Sequence, residues 1–360
     1  MSPLFPPFEF RILERPGPRE KELLGPLLAR SGLVFEGTPE LSVVAETLEG
    51  EVVATGSLEG VVLRMVAVDP RAQEGGLASA VISRLLEEAR SRGRHHLFVF
   101  TKPDSAERFS ELGFVAIARF DPHVVLLEMG EPNVETFRKH LRRIVATDVN
   151  GVDSRGVHGA IVMNANPFTL GHRYLVQESR ARCDRLFIVV VETDRSTFPF
   201  AVRYQLVQEG VADLPGVTVL GGGEYSISPA TFPTYFLKHL DDAEQIRLQA
   251  RLDSVLFSDL FGRELGLSRR FVGTEPLCPV TALYNEALLE ILPPRGIEVT
   301  VIPRKTDSGG AISASSVRRS WVAEDWEALR RLVPPSTERF LRDRESRPIW
   351  ERLCRSSGRH

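Results

Sequence analysis

The run Asn164-Ala165-Asn166-Pro167-Phe168-Thr169-Leu170-Gly171-His172 stands where a buried apolar segment gives way to a helical pattern. A helix beginning there presents free backbone N–H groups and the positive end of its dipole, a ready site for an anion. Gly171 lacks the Cβ that would hold a phosphate away from the backbone. Thr169 and His172 fall in the first turn, within reach of phosphate oxygens. Preorganised donors of this kind stabilise charge on a transferring phosphoryl group, so the chemistry indicated is attack at phosphorus. As plain structure, Thr169 would cap the helix and His172 would fill its first turn. The Asn166-Pro167-Phe168 run between strand and helix favours a ligand site instead.

Two further segments share that character. Ile312-Ser313-Ala314-Ser315-Ser316-Val317-Arg318 reads as a loop entering a helix, with hydroxyls at its start and Arg318 one turn in. Alone it would be an ordinary serine-capped helix. Arg304 and Lys305, ending the preceding strand, add positive charge nearby. Phe271-Val272-Gly273-Thr274-Glu275-Pro276 follows another strand, and Gly273 alone would be a turn glycine. No metal-ligand cluster is visible, and none of the three cysteines, Cys183, Cys278 and Cys354, has zinc or disulfide spacing.

The elements around these residues alternate. Strands are predicted at Ala160–Met163, Leu186–Val191, Val217–Leu220, Arg270–Val272 and Glu298–Ile302. Helices are predicted near Gly171–Ala181, Ala201–Ala212, Asp241–Asp259 and Thr281–Leu292, with a largely helical stretch from Ser313 to about Arg344. That alternation implies a parallel, doubly wound α/β sheet with ligands at the carboxyl ends of its strands. The first half reads as α+β. A proline-rich leader precedes a helix over Arg19–Arg30, broken or kinked at Gly25-Pro26; strands follow at Leu41–Ala45, Glu51–Ser57 and Val61–Val68. A helix over Leu77–Arg92 carries Ala78, Val81, Ile82, Leu85, Leu86 and Ala89 on one stripe. Leu97–Thr101, a short helix at Ser105–Glu111, and strands at Phe114–Phe120 and His123–Glu128 close this half. Residues 1–132 are expected as one domain, 133–156 as a connector with a basic helix face, 157–345 as a second domain, and 346–360 as a basic tail.

Composition is that of a soluble globular chain: 42% hydrophobic and 26% charged residues, with a net charge of -3, which gives no general field for nucleic acid or anionic lipid. No apolar run reaches the ~20 residues of a membrane span, and no secretory signal is visible, so a reducing cytoplasm is expected.

The decamer Met163 to His172 resembles the [Thr/His]-x-Gly-His signature of the nucleotidylyltransferase superfamily, and Ile312 to Arg318 resembles that superfamily's Ile-Ser-x-Ser-x-x-Arg signature. Asn166 stands where many members carry Asp. The resemblance implies ATP as cofactor, with Mg²⁺ brought by it. It implies catalytic roles for His172, Thr169 and Arg318, the last holding the β- and γ-phosphates. ATP-binding roles follow for Asn164, Asn166, Phe168, Gly171, Gly273, Thr274, Glu275, Ser313 and Ser315. Four blocks, Val162 to Leu175, Ser226 to Phe236, Phe271 to Pro276 and Ala311 to Arg318, are similar to those of the citrate lyase ligase family. That likeness implies activation of acetate as acetyl-adenylate, followed by acetylation of a thiol. The thiol belongs to a phosphoribosyl-dephospho-CoA group on the acyl carrier subunit of citrate lyase.

In the first half, Gln73-Glu74-Gly75-Gly76-Leu77-Ala78 follows Val66-Ala67-Val68-Asp69-Pro70 and opens a helix. It resembles the pyrophosphate loop of GNAT-type acetyltransferases, and Glu107 to Phe114 resembles that fold's later helix-to-strand segment. Gln73, Gly76 and Ala78 are thereby implied as contacts for a CoA-type arm. Glu74 and Asp104 lie near the expected ligand space, but a solvated surface role fits each. Two other functions fit parts of the pattern: a nucleotidylyltransferase acting on a phosphate-containing cofactor precursor, and a non-catalytic acyl-CoA sensor.

Overall fold

A computed structural model describes residues 8–147, 156–192, 196–228, 242–274, 279–307 and 310–357. The chain divides into two compact units, one over 1–140 with 229–256 and the other over 141–228 with 257–360.

The first unit is built on a seven-stranded sheet in the order β1-β2-β3-β4-β5-β7-β6. Its strands are β1 (Glu9–Glu14), β2 (Leu41–Glu46), β3 (Val52–Glu59), β4 (Val62–Val68), β5 (His96–Thr101), β6 (Val115–Phe120) and β7 (Val124–Gly130). Helices α1 (Pro18–Arg30), α2 (Leu77–Ser91) and α3 (Pro103–Glu111) interleave with them, and α4 (Val134–Thr147) follows. Val81, Ile82, Leu85, Leu86 and Ala89 form the buried stripe of α2, packed on Leu41, Val43, Ala54 and Leu97 of the sheet. Each valine, leucine and isoleucine side chain among them contributes ~1.5–3 kcal/mol by leaving water. All strand pairs are antiparallel except β4 with β5. Those two are joined only where the start of β4 meets the middle of β5, Val62 to Phe98 and Leu63 to Val99. Past that point β4 carries an irregularity against β3, and Met65 takes a left-handed φ of 52°.

Two expectations for this unit need correction. The helix over Pro18–Arg30 is not broken at Gly25-Pro26; Pro26 lies inside it. Leu24, Leu27 and Leu28 are all buried, and that anchorage outweighs the hydrogen bond Pro26 cannot make. Residues 9–14, within the stretch before Arg19 expected as a proline-rich leader, form a sheet strand.

The second unit carries five parallel strands in the order β10-β9-β8-β11-β12. They are β8 (His158–Met163), β9 (Arg185–Val190), β10 (Val217–Gly221), β11 (Arg269–Gly273) and β12 (Glu298–Ile302). Helices α5 (Leu170–Arg180), α6 (Phe200–Val211) and α8 (Pro279–Ile291) connect them; a π-helical turn at Ser258–Gly262 follows α7 (Asp242–Phe257), whose residues up to 256 group with the first unit. A short hairpin of β13 (Thr306–Asp307) and β14 (Gly310–Ala311) leads to α9 (Ala314–Val322), α10 (Trp326–Leu332), α11 (Pro335–Arg342) and α12 (Arg347–Ser357). Phe198, Val317, Trp321, Leu341, Ile349 and Leu353 hold these last helices in one apolar cluster, so the stretch expected as a tail is packed structure up to Leu353.

Strand order reverses at β8, with β9 and β10 on one side and β11 and β12 on the other. A sheet of this kind opens a crevice at the carboxyl ends beside the reversal. The β8–β11 ladder holds only Arg269 with Gly159 and Arg270 with Ala160, and the strands separate beyond it. Gly159 permits that close start, because a Cβ there would lie 2.4 Å from the Phe271 ring and 3.2 Å from the sulfur of Cys183. Burial pushes the Cys183 thiol up to about 11. Gly159→Ala is expected to destabilise this unit by ~1–3 kcal/mol through overpacking, measured as a lowered urea midpoint at unchanged slope. A midpoint equal to wild type would mean that β8 and β11 have room to separate.

Candidate active site

At the carboxyl ends of β8 and β11 lies a cavity of about 1000 Å³. Its wall includes Asn164, Asn166, Thr169, Gly171 and His172 from the first motif, Gly273 after β11, and Ser313, Ser315 and Arg318 from the later motif. Arg304, Lys305 and Arg319 stand on the same wall. The two signatures, more than a hundred residues apart in sequence, therefore face one space.

Thr169 is the N-cap of α5. Its Oγ1 accepts from the His172 backbone N–H at 3.2 Å, while its own N–H donates to His172 Nδ1 at 3.0 Å. The second bond determines the chemistry. With Nδ1 as acceptor, the neutral ring carries its proton on Nε2. Burial, with the nearby positive charge of Arg304, pushes the His172 pKa down to about 4. The ring stacks on Phe168 with centroids 5.7 Å apart and planes 16° from parallel. His172 is thus a neutral N–H donor held from below and behind.

Two expected ATP contacts on described residues, Phe168 and Thr274, are not on the cavity wall. Phe168 is fully buried, and a Cβ on Gly210 would lie 2.4 Å from its ring. Its carbonyl accepts from Thr337 Oγ1 at 3.0 Å. Supporting the His172 ring, rather than touching a nucleotide, is what its position allows. Thr274 is likewise a brace: its Oγ1 accepts from the Arg304 N–H at 3.1 Å and its carbonyl from Arg304 Nε at 2.8 Å. Glu275 lies outside the described residues, as do residues 229–236 of the block starting at Ser226.

Arg318 ties the motifs together. One guanidinium nitrogen donates to the Asn166 carbonyl at 2.6 Å and the other to Ser315 Oγ at 3.1 Å. Burial and then the neighbouring Arg319 lower its pKa, which still leaves a guanidinium charged. Ser313 caps α9, accepting from Ser316 N–H at 3.0 Å. Both α5 and α9 thus direct helix N-termini at the cavity, where dipoles favour an anion. Gly171 has a second reason to be glycine: a Cβ would approach the Ile312 carbonyl oxygen to 3.1 Å. Its absence lets the two motifs pack against each other.

Sequence reading missed the residues that hold this wall from inside. Asn285 donates to the Gly273 carbonyl at 3.0 Å. Arg203, fully buried in α6, donates to the carbonyls of Asn164 at 3.0 Å, Val191 at 2.6 Å and Phe198 at 2.9 Å. An arginine on a helix carries no signal of such partners, which come from two loops, the one after β8 and the two ends of the one between β9 and α6.

The first unit holds its own cavity, of about 250 Å³, where β4 and β5 part. Leu63, Val66, Val68, Val99 and Phe100 give it apolar walls, and Ala78, Arg30, Lys102 and Arg108 also face it. Beside it, Asp69 caps the turn Pro70–Gly75, accepting from the Arg71 N–H at 3.0 Å. The Arg71 guanidinium holds the Asp69 carboxyl well below the usual carboxylate range despite its burial. Of the three expected arm contacts, Ala78 lines the cavity, and Gln73 and Gly76 lie in the turn that leads to it. Gly76 has a φ of 69°, and a Cβ there would meet nothing within 4 Å, so backbone conformation already accounts for glycine.

Among the described residues no group of three or more His, Cys, Asp or Glu is placed to hold a metal, and no helix is long and apolar enough to cross a membrane.

Two family models match separate parts of the chain. Residues 9–114 match the acetyltransferase (GNAT) family, and residues 158–341 match the citrate lyase ligase C-terminal domain. Across 325 residues the chain is 38% identical to a [citrate [pro-3S]-lyase] ligase of Klebsiella pneumoniae, covering 89% of this chain and 92% of that one. It is 36% identical to the Haemophilus influenzae ligase of that name, over 90% of this chain and 95% of the relative. For the Escherichia coli K12 ligase the identity is 33%, over 93% and 94%. An acetyltransferase-like unit joined to a parallel-sheet unit with these two motifs on one cavity, and likeness to three ligases over nearly their whole lengths, place the chain in the citrate lyase ligase family of acid–thiol ligases.

Proposed function

We propose that the second unit activates acetate with ATP and that the acetyl group then passes to the thiol of a CoA-type group carried by citrate lyase. The observation carrying this reading is the convergence of His172, Arg318 and two helix N-termini on one cavity. ATP fits that wall, because its triphosphate would meet Arg304, Lys305, Arg318 and Arg319 together with the free N–H groups of α5 and α9. Mg²⁺ would enter with the nucleotide, neutralising phosphate charge. An acetate oxygen attacks the α-phosphorus, forming the mixed anhydride acetyl-adenylate as the bond to pyrophosphate breaks. His172 donates its Nε2–H to an α-phosphate oxygen and stabilises the charge that grows there without giving up the proton. Arg318 exchanges its Asn166 carbonyl for phosphate oxygens. In the second step a thiolate sulfur attacks the acetyl carbon and AMP leaves.

The first unit supplies the place for the acceptor arm in this scheme. A pantetheine-like chain suits a narrow apolar slot, and Arg30, Lys102 and Arg108 at its wall suit the phosphates of a phosphoribosyl-dephospho-CoA group on the acyl carrier subunit.

Three outcomes test this. Labelled pyrophosphate should exchange into ATP only with acetate or a close analogue present, and His172→Ala should cut that exchange roughly 10²–10³-fold. Exchange stimulated by a phosphomonoester in place of acetate would replace acid activation with nucleotidyl transfer. The tautomer gives a second readout. With a folded-state pKa of about 4, below the ordinary 6.5, the His172 ring should stay neutral with its proton on Nε2 from pH 8 to about 5 in ¹⁵N-resolved NMR. The fold favours the neutral ring, so its stabilising contribution is complete above 6.5 and is lost as pH falls through 4. A ring titrating near 6.5 would contradict the donor assignment.

The third outcome separates the steps. Ala78→Phe fills the first unit's slot without the left-handed strain that any side chain at Gly76 would add. Acetate-dependent exchange should remain within about twofold of wild type, while acetylation of the lyase carrier falls at least about tenfold. Normal transfer in this variant would place the acceptor arm elsewhere.

A further inference from the structure

Arg203 is the largest fully buried polar side chain among the described residues, and it sits directly beneath the cavity wall. Removing a guanidinium from water is costly unless its donors are well used. Here they are spent on main-chain carbonyls at three places. Asn164 follows β8, Val191 follows β9, and Phe198 precedes α6. The first two are the points at which adjacent parallel strands release the chain into the loops of the site.

The same network reaches both motifs. Phe198, whose carbonyl Arg203 holds, donates its N–H to the Asn166 side-chain oxygen at 2.9 Å. The Asn166 carbonyl in turn accepts from Arg318. Asn164, whose carbonyl Arg203 also holds, exchanges hydrogen bonds through its side chain with Ser196 at 2.9 and 3.0 Å. Phe198 itself is stacked on Trp321, three residues beyond Arg318 on α9, with ring centroids 5.6 Å apart. A single buried cation therefore fixes the loop from Asn164 to Asn166 against the loop before α6, and through Asn166 it fixes the resting place of Arg318.

We infer that Arg203 is a positioning residue for the phosphate-transfer step, setting the Asn164–Asn166 loop and the Arg318 guanidinium at the separation from His172 that the reaction needs. This rests on the adenylation reading above. Arg203 touches no cavity surface, so its effect passes through backbone placement alone. Its geometry also explains why arginine is used. Its donors leave in several directions along one plane, whereas an ammonium is a compact point charge and cannot reproduce that fork.

The test uses the full-length enzyme with Arg203→Lys and Arg203→Gln, each taken as the folded fraction from size-exclusion chromatography. Acetate-dependent ATP–pyrophosphate exchange is expected to lose roughly 10²-fold in kcat per folded enzyme, the scale of an ångström-sized misplacement, while the KM for ATP stays within about threefold. The His172 ring resonances should shift in both variants although Arg203 does not touch that ring. Wild-type kcat in either folded variant would overturn the inference. So would a loss confined to KM, since that is a binding role, or the failure of both variants to fold, since that is a role in the fold alone. The adenylation reading fails separately, and visibly, if the wild-type enzyme shows no exchange that depends on acetate.

Discussion

The reciprocal bond between Thr169 and His172 is the constraint around which the second unit is arranged. A capped helix needs a group to accept from its first N–H donors, and a histidine serving as a neutral donor needs its other nitrogen occupied. Thr169 meets both needs at once, with Oγ1 accepting at 3.2 Å and the backbone N–H donating at 3.0 Å. Everything else in the motif follows from keeping that pair in place. Phe168 must turn inward beneath the ring, Gly210 must be bare where Phe168 lies, and Gly171 must be bare where Ile312 approaches. The helix cap and the chemical group are one piece of structure, so the choice between capping and function posed by the sequence has no separate answers.

The two units reach their cavities by the same physical route. In each, a neighbouring pair of parallel strands is laddered at only two residue pairs and then separates: β4 from β5 in the first unit, β8 from β11 in the second. Parallel strands that part leave unpaired main-chain groups and an apolar gap at sheet depth. A slot of about 250 Å³ and a crevice of about 1000 Å³ are the results. Their linings differ. The slot is narrow and largely aliphatic, with cations at its wall. The crevice is broad and bears Arg304, Lys305, Arg318 and Arg319 with two helix N-termini.

Much of this could be read from sequence where the signal is local. Buried parallel strands are continuous apolar runs, and all five of the second sheet lie within two residues of their expected positions. The Thr-x-Gly-His and Ser-x-Ser-x-x-Arg groups lie on the same cavity because signatures of that kind are bound to strand-to-helix junctions. What escaped depends on distant partners. β1, Glu-Phe-Arg-Ile-Leu-Glu, is half charged because it is an edge strand, and only its pairing with β2 makes it a strand. Pro26 sits inside α1 because the leucines around it are anchored elsewhere. Phe168 resembled a ligand contact by adjacency alone, since burial cannot be seen in a motif. Arg203 is the strongest case, as its meaning lies in three carbonyls contributed by two loops.

The division of the chain into units does not follow its linear order. Residues 242–256 of α7 group with the first unit, although the described residues before them, 156–228, and those after, from 257 on, group with the second. A ribosome delivers the chain from one end only. When β8, β9 and β10 have emerged, the first unit still lacks its returning segment, and the second still lacks β11 and β12. Neither body is complete before synthesis of the other has begun, so maturation cannot proceed as one finished domain followed by another.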